Sequence, residues 1–66
     1  MIRLKIEGMT CDHCVKAVRE ALSAVPGVDR VEEVNRERGE ALIAGEPPTE
    51  ALLAAVREEG YEARVA

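Results

Sequence analysis

The sequence predicts an α+β sandwich, a four-stranded antiparallel sheet with two helices on one of its faces. Three observations predict it. Apolar and charged residues alternate at both ends of the chain, the period of a strand with one buried face. Between them, two stretches space their apolar residues by three and four, the period of a helix. Glycine or proline stands at each junction: Gly8, Pro26-Gly27, Gly39, Gly45, Pro47-Pro48 and Gly60. The resulting order is strand, helix, strand, strand, helix, strand. Two strand–helix–strand halves joined by a hairpin pack most simply in this way.

In the first strand Ile2, Leu4 and Ile6 alternate with Arg3, Lys5 and Glu7, and Gly8 breaks the pattern. Cys14, Val18, Ala21, Leu22 and Val25 then lie along one helical face, which Pro26-Gly27 ends. The second strand begins at Val28, yet Val28, Val31 and Val34 recur every third residue instead of every second. Turning both Val31 and Val34 inward requires an extra residue, so a β-bulge is expected at Glu32-Glu33. Arg36-Glu37-Arg38-Gly39 reads as a hairpin loop closed by glycine, followed by a third strand over Ala41-Leu42-Ile43-Ala44. Pro47-Pro48-Thr49-Glu50 opens the second helix, with proline in its first turn and an acid near its positive end. Leu52, Leu53, Ala55 and Val56 form its buried face. Tyr61, Ala63 and Val65 alternate with Glu62 and Arg64 as the last strand.

Sixty-six residues suffice for one domain, taken as residues 1–66, and not for a second core or a roomy enclosed active site. The 47% hydrophobic content argues for a folded globule. Tyr61 is the one aromatic residue and the net charge is −4, so no stacking platform or basic stripe for nucleic acid exists. No apolar run resembles a secretory segment or approaches membrane-spanning length, which predicts a cytoplasmic protein with no membrane insertion. In that reducing compartment two cysteines are ligands or redox groups before they are a staple.

The informative stretch is Gly8-Met9-Thr10-Cys11-Asp12-His13-Cys14, where the first strand gives way to the first helix. Cys-x-x-Cys at a helix start brings both sulfurs to one side of a turn. Unpaired N–H groups there favour thiolates. Thr10 and Asp12 are both candidate caps for that helix. A structural zinc site takes four protein ligands and a four-iron cluster takes four cysteines. With two cysteines and one histidine, the chain completes neither without conscripting Asp12 or water. Cu(I) is soft, prefers thiolate, and its filled d shell accepts two nearly opposed ligands. Such low coordination leaves room for an incoming thiolate, which suits a carrier.

Gly-Met-Thr-Cys-x-x-Cys, the amphipathic helix ending in Pro-Gly-Val, and Gly60-Tyr61 together resemble the heavy-metal-associated domain family from Ile2 to about Val65. The His13-Cys14 pair is similar to that of the bacterial cytosolic copper chaperones of this family. The resemblance implies a ferredoxin-like βαββαβ fold and Cu(I) held by Cys11 and Cys14. It also implies delivery, by thiolate exchange, to the metal-binding domain of a copper-transporting P-type ATPase. A copper-responsive regulator and a metal-bridged homodimer are further partners to test. It places Met9 inward, supporting the loop with Thr10, and Tyr61 beside the metal. His13 is expected at the surface, tuning Cys14 or contributing when two chains share metal. Lys16 and Arg19 follow the cysteines and offset the anionic copper–dithiolate centre, in position to meet an acidic partner. Arg36 stands where the family tends to place an apolar residue. Lying in the half without cysteines, it is expected to leave metal binding untouched.

Two other readings compete. Glutaredoxin-like oxidoreductases also begin with a strand and Cys-x-x-Cys at a helix start, but need a proline facing the dithiol from a strand. Here Pro47-Pro48 precedes a helix. Within the family, a mercury- or zinc-binding relative or a detached transporter domain is the alternative, with Asp12 the extra donor for zinc. As a carrier the protein is expected to catalyse no covalent step.

Overall fold

A computed structural model describes residues 1–66. The alternation in the first strand appears as β1 (Ile2–Glu7), with Leu4 and Ile6 buried between charged neighbours. It is followed by α1 (Asp12–Ser23), β2 (Val28–Asn35), β3 (Glu40–Gly45), α2 (Thr49–Glu58) and β4 (Glu62–Val65). All strand pairs are antiparallel and the sheet order is β2-β3-β1-β4. β1 and β2 therefore run the same way with β3 between them, the split βαβ arrangement expected of two such halves. α1 packs on β2, α2 on β4, and the two helices on each other.

Leu4, Val18, Leu22, Ile43, Leu52 and Val56 are each under 2% exposed and form the centre of the core. No polar side chain is buried, so no unpaired polar group weakens this core. No helix is long and apolar enough to cross a membrane.

The irregularity expected in β2 is present. Val31 pairs with Ile43 and Val34 with Ala41, so Glu32 and Glu33 together oppose Leu42 alone. A second register shift, beyond the one expected, lies between Val28 and Arg30. Burying Val28, Val31 and Val34 on one face outweighs the ladder regularity lost at two points.

Several details differ from expectation, among them β4, which starts at Glu62 and leaves Tyr61 in the turn before it. α1 starts at Asp12, and neither Thr10 nor Asp12 caps it: Cys11 stands at the N-cap position and no side chain makes a cap hydrogen bond. Its C-terminus comes earlier than Pro26-Gly27, with Ala24 as the C-cap. Pro48 is the N-cap of α2, not a residue of its first turn. Val65, on an edge strand of four residues, is 51% exposed. An edge strand has one neighbour to cover it, so period alone overstated its burial.

Strand direction decides what meets at each end of the sheet. β1 and β2 finish at the same end, where β3 starts, α1 starts and α2 ends. The loop after β1, the 36–39 hairpin and the turn before β4 are consequently neighbours. Gly39 fastens the hairpin to the end of β1: its carbonyl accepts from the Ile6 N–H at 2.6 Å. At φ +63° a Cβ there would stand 2.7 Å from the Ile6 carbonyl oxygen, so only glycine fits without a backbone shift.

Candidate metal centre

Gly8 ends β1 at φ +102°, a conformation that turns the chain out of the sheet. The next residue, Met9, is 5% exposed and belongs to the core cluster, which pins the loop to the fold. Thr10 is exposed, and Cys11 adopts an extended backbone before the helix begins. The Cys14 and Val15 N–H groups donate to the Cys11 carbonyl at 3.1 and 3.2 Å, closing the first turn. That turn brings Cys11 Sγ and Cys14 Sγ to 3.1 Å, within S–H···S hydrogen-bond distance. Cys11 is exposed and Cys14 half-buried, both free thiols. An extended cysteine at the cap followed by another in the first turn is what makes the two sulfurs converge.

The Cys14 thiol is lowered from 9.0 to about 6. The largest cause is the Tyr61 hydroxyl, followed by the Cys11 thiol and the Thr10 backbone, against a smaller opposing effect of burial. Tyr61 is correspondingly raised to about 12, first because its O–H is engaged by Cys14. The two shifts have one origin: the Tyr61 hydroxyl beside Cys14 favours a protonated phenol and an ionised thiol together. Cys11–Cys14 is the close sulfur contact, and Tyr61 acts from a looser position. Gly8 makes room for the ring, since a Cβ there would lie 3.1 Å from Tyr61 Cδ1.

The remaining site residues fall into two groups. His13 and Lys16 are exposed. Arg19, also exposed, has Nη1 3.3 Å from the Val31 carbonyl, so it is tied to the bulged part of β2. Asp12 has its Oδ1 3.4 Å from Arg36 Nη1 and is not gathered with the sulfurs into a donor cluster. No three His, Cys, Asp or Glu side chains are gathered to hold a metal, so the convergent donor set is the thiol pair. Arg36, in the half of the chain without cysteines, meets Asp12 of the cysteine turn. The parallel run of β1 and β2 carries the hairpin to the cysteine end, which strand order alone could have shown.

The heavy-metal-associated domain model matches residues 3–62. The chain belongs to the heavy-metal-associated domain family. It is similar to copper-transporting ATPase 2 of Rhizobium meliloti (strain 1021), 45% identical over 62 residues. That match spans 92% of this chain and 8% of the relative. It is also similar to mercuric reductase of Serratia marcescens, 48% identical over 68 residues, spanning 100% of this chain and 15% of the relative. The chain thus spans a small fraction of the length of these curated relatives. Among solved structures it resembles the copper chaperone of Enterococcus hirae in its apo form, with TM-score 0.90 and 28% identity. That comparison covers 100% of both chains. The family is one of metal-binding domains, which sets the dithiol-oxidoreductase alternative aside.

In this heavy-metal-associated domain the Cys14 shift has a pH signature. The unfolded thiol stays protonated up to about 9, whereas the folded one loses its proton near 6. Between those values the native state binds fewer protons, so metal-free stability rises with pH there and the contribution vanishes below 6. Tyr61→Phe removes the largest cause. It is expected to move the thiolate absorbance inflection upward and to flatten the stability rise. An unchanged inflection in the variant dismisses the role of Tyr61.

Proposed function

We propose that this domain is a carrier of Cu(I), held between the thiolates of Cys11 and Cys14. The observation that carries the reading is the donor set: two convergent sulfurs with no third His, Cys, Asp or Glu gathered beside them. A soft cation satisfied by two thiolates fits such a pair, whereas zinc needs four ligands. The thiolate character of Cys14 near neutral pH removes most proton competition at that ligand.

The exposure gradient sets the order of release. An incoming thiolate forms a third sulfur–copper bond at the open side. The exposed Cys11 bond breaks first, and Cys14, more shielded, lets go last. The recipient in this reading is the metal-binding domain of a copper-transporting P-type ATPase, in the cytoplasm. Likeness to the Rhizobium meliloti ATPase and to the Enterococcus hirae chaperone supports it. Lys16, free on the exposed side of α1, is the charge available for docking; Arg19 is partly engaged by Val31.

A second cargo, Hg(II), is favoured by the likeness to the Serratia marcescens reductase across the whole chain. Hg(II) is also soft and also satisfied by two opposed thiolates, so the same pair serves.

Transfer between purified proteins tests the proposal. Cu(I)-loaded domain mixed with an apo ATPase metal-binding domain should pass its copper within the mixing time, and Lys16→Glu should slow transfer and weaken its salt dependence. Copper that stays with the donor, or leaves only as free ion, contradicts the carrier reading. An unaltered salt dependence in Lys16→Glu removes the docking role.

A further inference from the structure

Four consecutive residues, Cys11-Asp12-His13-Cys14, carry two thiols, a carboxylate and an imidazole within one helical turn. Together they form a donor set that zinc accepts, since Zn(II) binds sulfur, nitrogen and oxygen ligands tetrahedrally. Choice between a two-coordinate and a four-coordinate cation at this turn depends on whether Asp12 and His13 join the sulfurs. In the structure neither does. The Asp12 carboxylate is directed instead at the hairpin, with Oδ1 3.4 Å from Arg36 Nη1 across 24 residues of sequence.

We infer that Arg36 is a metal-specificity residue, holding the Asp12 carboxylate away from the thiol pair and so disfavouring Zn(II). This rests on the reading of Cys11 and Cys14 as the metal ligands. The guanidinium is well placed for such a role because its loop is anchored. The Arg38 N–H donates to Asn35 Oδ1 at 3.0 Å, and the Gly39 carbonyl accepts from Ile6 at 2.6 Å. Glu33 and Glu37 line the same shallow depression as Asp12 and Arg36. They supply the negative surroundings that keep a cation there. The Asp12 side chain is 96% exposed, so the restraint is that of a solvated ion pair, modest in size and sensitive to salt.

The test is a set of competition titrations of reduced protein with Zn(II) and Cu(I) against chromophoric chelators at low ionic strength. Arg36→Gln is expected to tighten Zn(II) by about two- to fivefold, the range of an exposed pair, and to leave Cu(I) unchanged. Arg36→Lys should restore most of the parent selectivity. In an Asp12→Asn background, Arg36→Gln should have no effect. X-ray absorption of the Zn(II)-loaded Arg36→Gln variant should show an added oxygen neighbour. An unmoved Zn(II) affinity overturns the inference. So does equal tightening in the Asp12→Asn background, which reduces Arg36 to a general charge effect. Cys11→Ser/Cys14→Ser separates the two levels: metal binding that survives it sinks the thiol reading itself, while cysteine-dependent binding with unchanged selectivity sinks Arg36 alone.

Discussion

Replacing Cys11 and Cys14 together with serine is expected to abolish high-affinity Cu(I) binding while leaving the fold intact. The loss should exceed the roughly 10–100-fold that removal of a supporting residue costs, because no other donor converges on the site. A serine hydroxyl is a hard, protonated oxygen and offers a soft cation almost nothing. The fold survives because Cys11 is exposed and Cys14 only half-buried at the rim of the core. Each single substitution should already remove most of the affinity, since one thiolate leaves copper under-coordinated. Titration against a Cu(I)-selective chelator, with circular dichroism to verify folding, reads both outcomes. Substantial copper capture by the folded double variant would contradict the site.

Leu22→Ala is the substitution expected to cost most stability. Leu22 is fully buried between the helices and the sheet, and its truncation costs about 2–5 kcal/mol. A domain of this size rarely has more than about 3–5 kcal/mol to lose. Metal-free Leu22→Ala should therefore be largely unfolded at 25 °C, seen as loss of the cooperative urea transition. Metal reverses this, because a cargo bound only by the folded turn adds about 4 kcal/mol at a thousandfold excess over Kd. Copper loading should restore the transition. A metal-free variant melting within a few degrees of the parent would mean that the core sits elsewhere.

Much of the architecture was readable in the residues because periods and breakers agreed. The alternation of Ile2, Leu4 and Ile6 identified the inward face of β1, and the spacing of Cys14, Val18, Ala21 and Leu22 identified that of α1. Even the departure at Glu32-Glu33 was visible, since valines every third residue cannot share a face of a regular strand. What period cannot express is coverage. Val65 has the right phase in β4 but lies at an edge with little above it. Helix caps were missed for a related reason: Thr10 and Asp12 have good capping chemistry, yet the loop pinned by Met9 places Cys11 at the boundary.

The cysteine pair was evident from spacing and flanks, but the surroundings of the site were less so. Arg36 lies far from Asp12 in the chain, and hydropathy says nothing about charged residues meeting across loops. Strand direction brings them together, because β1 and β2 end on the same side of the sheet. Tyr61, by contrast, was expected beside the cysteines from the family resemblance, and the turn after α2 does return it to Gly8.

X-ray absorption at the copper edge, on reduced domain loaded with one equivalent of Cu(I), reads the coordination of the bound ion. Two sulfur neighbours, nearly opposed, are expected, with no nitrogen or oxygen in the inner sphere. Three or more inner-sphere neighbours in the monomer, or a spectrum unchanged when both cysteines are serine, would contradict a two-thiolate copper site.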